Sequence, residues 1–208
     1  MATEQRVHHP SEETLLRCAV ALEELIYGDD SSLDIARSIV DKSIKSYSDD
    51  QLTRVGQGAF GSCSSLASVE LPACTSLDNG AFAGCSSLTS LSLPKCKTLG
   101  PWAFSTCLKL TSIDLGSIQS FQTQAFYSDY SLTTVIIRTT SKVATLSWTN
   151  VFDLCYHFYG TVDATYNPDG LKDGYIYVPD TLVDSYKTAT NWVTLADQIK
   201  PLSELPTK

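Results

Sequence analysis

One stretch of the sequence decides the fold, because it recurs 22 residues further along with its apolar positions kept. The first copy reads Cys63-Ser-Ser-Leu66-Ala-Ser-Val69-Glu-Leu71-Pro72. The second copy reads Cys85-Ser-Ser-Leu88-Thr-Ser-Leu91-Ser-Leu93-Pro94. Each copy leads into an Ala-Phe pair. A fixed repeat period of this length is typical of solenoid proteins, in which each unit supplies one turn of the array.

Six apolar columns keep the 22-residue step through at least four units. A unit this small cannot bury its own apolar face, so successive units have to stack and cover one another. The columns are Val55, Leu77, Leu99, Phe121 and Val143; Ala59, Ala81, Ala103 and Ala125; Phe60, Phe82, Phe104 and Phe126; Leu66, Leu88, Leu110 and Leu132; Val69, Leu91, Ile113 and Val135; and Leu71, Leu93, Leu115 and Ile137.

Each unit contains one segment that alternates as a short strand does. In Leu88-Thr-Ser-Leu91-Ser-Leu93 the last two leucines share one side of the chain and the serines take the other. Strands of successive units would stack in parallel about 4.7–4.9 Å apart. Pro72 and Pro94 would end their strands, because proline lacks a backbone N–H. We therefore predict an α/β-type solenoid with a parallel sheet and the Phe column on the opposite wall.

These units resemble the BspA-like leucine-rich repeat family over about Ile44 to Phe152. The segment Gly174-Tyr-Ile-Tyr-Val-Pro-Asp180, continuing through Trp192 to Pro201, looks like the closing segment of such proteins. Members are typically surface or secreted adhesins of bacteria and some protists, and similar arrays occur in phage-derived proteins. The resemblance implies a leucine-rich repeat array that binds a partner rather than an enzyme.

The chain divides into a predicted N-terminal helical cap at 1–43, repeats at 44–152 in about four to five units, and a C-terminal insert and cap at 153–208. Ser11 to Tyr27 and Leu33 to Lys42 carry apolar residues at helical spacing and are predicted to be helices. They would cover the first open unit of the array. An oligomerisation or attachment element is the alternative.

After Val143 the repeat decays, and Trp148 and Phe152 indicate a degenerate last unit. A mixed C-terminal cap is expected to follow. Tyr175 to Val178 reads as a strand, Asp180 as the cap of a short helix, and Trp192 to Ile199 as a second helix.

The charge balance argues against two classes of partner. Lys and Arg number 15 against 23 acidic residues, giving a formal net charge of −8. Nucleic-acid backbones and anionic membranes both attract cationic surfaces, so neither is an expected partner. Residues 1–10 show no basic segment followed by an apolar one, and no apolar run approaches a membrane span. We expect cytoplasmic synthesis with possible surface or particle association.

The cysteines follow the repeat rather than a ligand pattern. Cys63, Cys85 and Cys107 form one 22-residue column, and Cys74 and Cys96 form another. They are interpreted as buried reduced thiols, although stacked cysteines come close enough that a disulfide stays geometrically possible. The spacing lacks a CxxC pattern, so no metal site and no cofactor are predicted.

No catalytic residue is predicted. His157 lies near Cys155, but a nucleophile needs an oriented base, and His157 is interpreted as a packing or surface histidine. The segment Asn167-Pro-Asp-Gly170 is interpreted as a turn. A calcium loop using its neighbouring carboxylates is the alternative, although the spacing misses that motif.

Two surfaces could bind a partner. The first is the outward side of the strands, a curved, concave sheet face of the kind that solenoids use for recognition. Its residues are Ser68, Ser90, Ser112 and Thr134 in one row, and Glu70, Ser92, Asp114 and Ile136 in the other. The second is an aromatic insert, whose rings could bind a partner or instead seal the last unit. Its residues are Tyr156, Phe158, Tyr159 and Tyr166.

The sequence therefore predicts a non-enzymatic module that binds a protein or glycan surface, in adhesion or recognition at a bacterial surface. The alternative is a structural component of a phage-derived or other particle, such as a tail or receptor-binding protein, assembled through the N-terminal helices.

Overall fold

The computed structural model describes the backbone of residues 46–48 and the chain from residue 52 to residue 207. The predicted N-terminal helices at 11–27 and 33–42 lie outside the described residues, as does Cys18. From residue 52 onward the chain winds as a solenoid with two parallel sheets.

Among the described residues the larger sheet has seven strands, and every neighbouring pair is parallel. Its strands are β1 (Ser46–Ser48), β3 (Ser68–Glu70), β5 (Ser90–Leu93), β7 (Ser112–Leu115), β9 (Thr134–Ile137), β11 (Tyr175–Val178) and β12 (Ile199–Pro201). They lie side by side in this order. Buried and solvent-facing residues alternate along β5, so this sheet confirms the predicted strands.

The second sheet has five strands of two residues each within residues 52–207, all parallel. Its strands are β2 (Arg54–Val55), β4 (Ser76–Leu77), β6 (Thr98–Leu99), β8 (Ser120–Phe121) and β10 (Thr145–Leu146). In each of them the second residue is buried. Strands of two residues are too short to show an alternation, which is why the sequence indicated an apolar column here and no second sheet.

A ladder of stacked phenylalanines runs through the interior. Successive ring centroids are 4.9, 5.6, 5.6, 5.2 and 5.1 Å apart. The rings belong to Phe60, Phe82, Phe104, Phe126, Phe152 and Phe158, and all are buried. The predicted Phe column is confirmed, and it extends two rings beyond the regular repeats.

The last unit departs from the 22-residue step, and one predicted column member is wrong. Leu146, not Val143, pairs with Phe121 and is buried at the column position. The separation 146 − 121 is 25 residues, so this unit carries three extra residues. Trp148 is 67% exposed and does not belong to the core of the last unit, whereas Phe152 does.

The C-terminal cap contains two short α-helices, α1 (Tyr156–Tyr159) and α2 (Val183–Thr188). Its 3-10 helices are Thr149–Phe152, Asp180–Leu182, Val193–Gln198 and Leu202–Glu204. The predicted strand Tyr175–Val178 is confirmed as β11.

Two details of the predicted cap are wrong. Asp180 does not cap the helix that follows it, because its Oδ1 accepts a hydrogen bond from the Ser203 backbone N–H at 3.1 Å. Ile199 belongs to a strand rather than to a helix, because β12 pairs with β11 and so extends the large sheet by one strand.

Two aromatic side chains of this cap close the last unit. The Ala144 backbone N–H donates to the Tyr186 hydroxyl at 2.9 Å, and Trp192 Nε1 donates to the Ala144 carbonyl at 2.6 Å. Their rings meet edge to face with centroids 5.0 Å apart. Both side chains are buried, so they satisfy the backbone of Ala144 where water cannot reach it.

The six cysteines of the described chain are buried and carry no disulfide bond, which confirms the predicted burial. Three thiols donate to the carbonyl of a Phe in the preceding unit: Cys85 to Phe60, Cys107 to Phe82 and Cys155 to Phe126. Burial is the main reason that the pKa values of Cys107 and Cys155 lie well above the ordinary thiol value. These thiols resist ionisation, which suits a packing role.

Asp129 occupies the cysteine column in the fourth unit, at 107 + 22 = 129. It is fully buried, and its Oδ1 accepts a hydrogen bond from the Cys107 N–H at 2.7 Å. Its Oδ2 has no hydrogen-bond partner among the described residues. Burial raises the pKa of this carboxyl well above its ordinary value, so the proton is held tightly.

Candidate functional site

The outer face of the large sheet carries the predicted binding rows in register. Ser90, Ser112 and Thr134 face one another across β5, β7 and β9. A second row runs from Glu70 through Ser92, Asp114 and Ile136. The side chains of Ser68, Glu70, Ser90 and Ser92 are exposed, and those of Ser112, Asp114, Thr134 and Ile136 are half-buried. The structure therefore brings all eight predicted residues onto one face, hereafter the sheet face.

The last two strands extend the sheet face with residues that the sequence did not assign to it. Tyr175, which is half-buried, lies opposite Thr134, and Tyr177, which is buried, lies opposite Ile136. Lys200 of β12 then lies opposite Tyr177. The alternation in Tyr175-Ile-Tyr-Val178 marked a strand with two tyrosines on one side. The sequence does not show which strand lies beside this one, however. A connection of 37 residues separates Ile137 from Tyr175 (175 − 137 − 1 = 37), and its path decides that β11 lies beside β9.

Charged groups at this end of the sheet face are already engaged with one another. Arg138 makes a two-pronged contact with Asp114, with its Nε 2.9 Å from Oδ1 and its terminal nitrogen 2.8 Å from Oδ2. This hydrogen bonding raises the pKa of Arg138 above its ordinary value. Lys200 Nζ lies 3.9 Å from the centre of the Tyr175 ring, in cation–π geometry. Glu70 has no such partner among the described residues.

The aromatic insert divides into a buried part and a surface part. Phe158 is buried and stacks on Phe152, so it cannot contact a partner. This corrects its prediction as a binding residue. It seals the last unit, which was the other interpretation of these rings. Tyr156 and Tyr166 pack on the half-buried Tyr130, with ring centroids 4.5 and 5.0 Å from it.

The loop of the insert is held by its own polar groups. Asn167 is buried, and its amide donates to the carbonyls of Tyr156 and Leu171 while accepting from the Leu171 N–H. The Gly170 N–H donates to the Asn167 carbonyl, and Gly170 has a positive φ of 62°. The predicted turn at 167–170 is confirmed, and its Asn side chain is committed to the loop.

Tyr159 belongs to a different feature, an open cleft of about 610 Å³ on the turns that lead from the second sheet to the first. Its lining residues are Gln124, Tyr127, Asp153, Leu154, Tyr159 and Thr161. Burial is the main cause that raises the pKa of Tyr159 to about 12, and it raises that of Asp153 as well. Of these six residues, sequence reasoning assigned only Tyr159 to a site.

Two of the residues lining this cleft stand in columns of left-handed turn positions. One column holds φ values of 63°, 61°, 52° and 53°, at Gly58, Gly80, Trp102 and Gln124. The other column ends at Leu154, which has a φ of 60° and is 44% exposed. Left-handed backbone costs a non-glycine residue roughly 1–2 kcal/mol. Trp102 is exposed as well, and its Nε1 donates to Gln124 Oε1 at 2.9 Å.

The described residues do not assemble a nucleophile with a base. The Cys155 thiol points inward to the Phe126 carbonyl, and His157 Nδ1 pairs instead with Asp173 Oδ1 at 2.6 Å. Within residues 52–207, no group of three or more His, Cys, Asp or Glu side chains could hold a metal ion. Among the helices described, none is long and apolar enough to cross a membrane.

A family model described as BspA type leucine rich repeat region matches residues 41–158 with six copies. Among solved structures, the chain is similar to a leucine rich cell surface protein of Faecalibacterium prausnitzii A2-165, with 25% sequence identity and a TM-score of 0.48. That match covers 61% of this chain and 29% of the other, so the chain corresponds to less than a third of that protein. No curated protein matches.

Proposed function

We propose, since the chain belongs to the BspA-type leucine-rich repeat family, that it is a non-enzymatic module for adhesion or recognition at a bacterial surface. The sheet face is its contact surface for a protein or glycan partner. The observation that supports the proposal is the register of the outward rows, in which hydroxyl and carboxylate side chains lie side by side on the large sheet.

The chemistry of the sheet face changes along the array in a way that suits recognition. The early strands present exposed hydroxyls and the carboxylate of Glu70. The last strands present Tyr175 and Lys200, which are half-buried and already oriented by their mutual contact. Tyrosine side chains contribute strongly to interfaces, because they bury a large area and lose little side-chain entropy on binding.

The dimensions of the sheet face favour a macromolecular partner. Seven strands enclose six gaps of about 4.8 Å, which gives a face roughly 29 Å long. A surface of this length is longer than a single sugar needs, and it suits the broad, polar contacts of a protein interface or an extended glycan. Parallel strands hold each side chain at a fixed spacing, so the face is organised before a partner arrives.

A matched pair of double variants tests the proposal. Glu70→Arg with Ser92→Arg changes two exposed positions of the sheet face, and Asp184→Arg with Ser185→Arg makes the same chemical changes at exposed positions on α2. Asp114 is avoided, because its reversal would also release Arg138. Fluorescently labelled wild type and both variants are titrated onto bacterial cells, mammalian cells, immobilised matrix proteins and immobilised glycans. Circular dichroism checks that each variant is folded.

We expect saturable binding by the wild type and by the α2 variant, with at least about tenfold weaker binding by the sheet-face variant. Equal binding by both variants would exclude the sheet face as the contact surface. A wild-type protein that binds none of these surfaces would contradict the recognition function itself.

A further inference from the structure

We propose that the cleft between the turns, lined by Tyr127, Tyr159, Leu154, Gln124, Asp153 and Thr161, binds a neutral sugar residue. This site is separate from the sheet face and does not depend on the function proposed for it. Its volume of about 610 Å³ falls within the range of small-ligand pockets, roughly 300–1,000 Å³.

The lining combines the two kinds of group that a sugar ring needs. Tyr127 and Tyr159 supply aromatic rings that can pack against the apolar C–H face of a pyranose. Gln124, Asp153 and Thr161 supply an amide, a carboxylate and a hydroxyl, which together donate to and accept from hydroxyl groups. A few placed polar groups beside aromatic surface are typical of small-molecule sites.

The charge of the lining excludes anionic ligands. None of its six residues is Lys, Arg or His, and Asp153 contributes a negative charge. The Asp153 carboxylate accepts no side-chain hydrogen bond from the described residues, and burial raises its pKa above the ordinary value. A ligand hydroxyl can donate to this carboxylate in place of the water that reaches it in the open cleft.

Gln124 beside this cleft has left-handed backbone, in a column where the first two units use glycine. Gly58 and Gly80 hold the left-handed position where Trp102 and Gln124 follow. The indole of Trp102 donates to Gln124 Oε1 at 2.9 Å. The amide nitrogen of Gln124 has no acceptor among the described residues, so it can donate to a ligand.

A quaternary ammonium ion is the competing ligand, since aromatic rings beside a carboxylate also attract cations. Such an ion is recognised by enclosure between aromatic faces and gains nothing from an amide and a hydroxyl. Three of the six lining residues are hydrogen-bonding groups, and the cleft is open to solvent. These features favour a polyol, which needs hydrogen bonds around its edge.

The test uses nuclear magnetic resonance of the indole N–H groups in the full chain, with the Trp102 signal assigned by a Trp102→Phe variant. The probes are galactose, mannose, glucose and N-acetylglucosamine, with choline chloride as the cation and inorganic phosphate as the anion. We expect at least one sugar to shift the Trp102 signal saturably, with a Kd on the order of 1–50 mM.

Two variants on the same helix give the matched comparison. Tyr159→Ala should weaken sugar binding at least about tenfold, whereas Tyr156→Ala, which removes a ring that packs on Tyr130 outside the cleft, should leave it unchanged. Asp153→Asn should retain measurable sugar binding, because an amide still accepts hydrogen bonds, whereas it would abolish binding of a cation.

Three results would overturn the proposal. They are the absence of a saturable shift with every sugar, a shift with choline chloride or phosphate in place of the sugars, and equal loss of sugar binding in Tyr156→Ala and Tyr159→Ala. None of them bears on the sheet face, so failure here and failure of the proposed function are distinguishable.

Discussion

Asp129 shows how one residue can depart from a repeat and reveal what its position requires. The neighbouring units place Cys107 and Cys155 there, and both thiols donate to a Phe carbonyl. The carboxyl of Asp129 is fully buried, yet only one of its oxygens has a hydrogen-bond partner among the described residues. A buried carboxyl that is half satisfied lowers stability in either protonation state, and it does so more strongly when it is ionised.

The pH dependence of stability follows from the raised pKa of Asp129. Above about pH 4, the folded state holds this proton while the unfolded state has lost it. The contribution of this group to the free energy of unfolding is therefore largest below about pH 4. It decreases as the pH rises toward the pKa of Asp129 in the folded state.

We expect Asp129→Cys to be more stable than the wild type at pH 7, by on the order of 1–3 kcal/mol. The thiol restores the column and can donate to the Phe104 carbonyl, as Cys107 does to that of Phe82. Urea denaturation at pH 4 and pH 7 measures the difference, which should be smaller at the lower pH because the ionisation part of the cost is absent there. A variant less stable than the wild type at pH 7 would contradict the claim that Asp129 lowers the stability of the folded state.

Trp102→Gly tests the strain of the left-handed column. Trp102 has a φ of 52° and is 41% exposed, and Gly58 and Gly80 hold the same position in earlier units. Relief of strain worth roughly 1–2 kcal/mol should offset the lost contacts, so the thermal midpoint should stay the same or rise. A fall in stability beyond about 1 kcal/mol would show that the indole is a core contact rather than a surface one.

The sequence predicts single residues well where they obey the repeat and poorly where they break it. The Phe, Ala and Leu columns are buried as expected, because every unit places them in the same surroundings. The prediction that Val143 continues its column was wrong, since three extra residues move Leu146 into that position. Tyr127 and Gln124 carried no signal of a site, because the cleft forms only when the turns of neighbouring units come together.

Among the elements, the Phe ladder has the clearest role. Phe104 stacks on Phe82 and Phe126 with centroids 5.6 Å away on both sides, and it is fully buried. Phe104→Ala should lower the free energy of unfolding by about 3–5 kcal/mol, through lost contacts and the cavity left behind. Chemical denaturation measures this loss. A cost near zero would mean that the ladder does not hold the units together.

The C-terminal cap closes the array by two hydrogen bonds to one residue, Ala144. Tyr186→Phe keeps the ring on Trp192 but leaves the buried Ala144 N–H without its acceptor, which should cost on the order of 1–3 kcal/mol. Tyr166→Phe, on the half-buried ring of the insert, is the control and should change stability by less than about 0.5 kcal/mol. Equal effects in the two variants would rule out a specific closing role for Tyr186.

The elements themselves were predictable in proportion to their length and regularity. Strands β5, β7 and β9 alternate over four residues each, and they lie where the alternation indicated. The two-residue strands of the second sheet gave no such pattern. The pairing of β11 and β12 with the large sheet depends on how the cap folds back, which no local pattern encodes.

At the scale of the whole molecule, stacking converts a short repeat into two organised surfaces. The sheet face is long, polar and continuous across strands, whereas the cleft on the turns is compact and mixes aromatic with polar groups. A solenoid separates these surfaces because every unit contributes one strand to the first and one turn to the second. The sequence alone identifies the outward rows of β3, β5, β7 and β9, whereas the cleft and the pairing partners of the last strands come only from the fold.

A competition assay tests the recognition function most directly. Labelled wild type is held at half-saturation on a surface that binds it, and unlabelled wild type, the Glu70→Arg/Ser92→Arg variant or the Asp184→Arg/Ser185→Arg variant is added. We expect the α2 variant to displace the label as the wild type does, and the sheet-face variant to require at least about tenfold higher concentration. Displacement at the same concentration by all three proteins would show that the partner does not bind the sheet face.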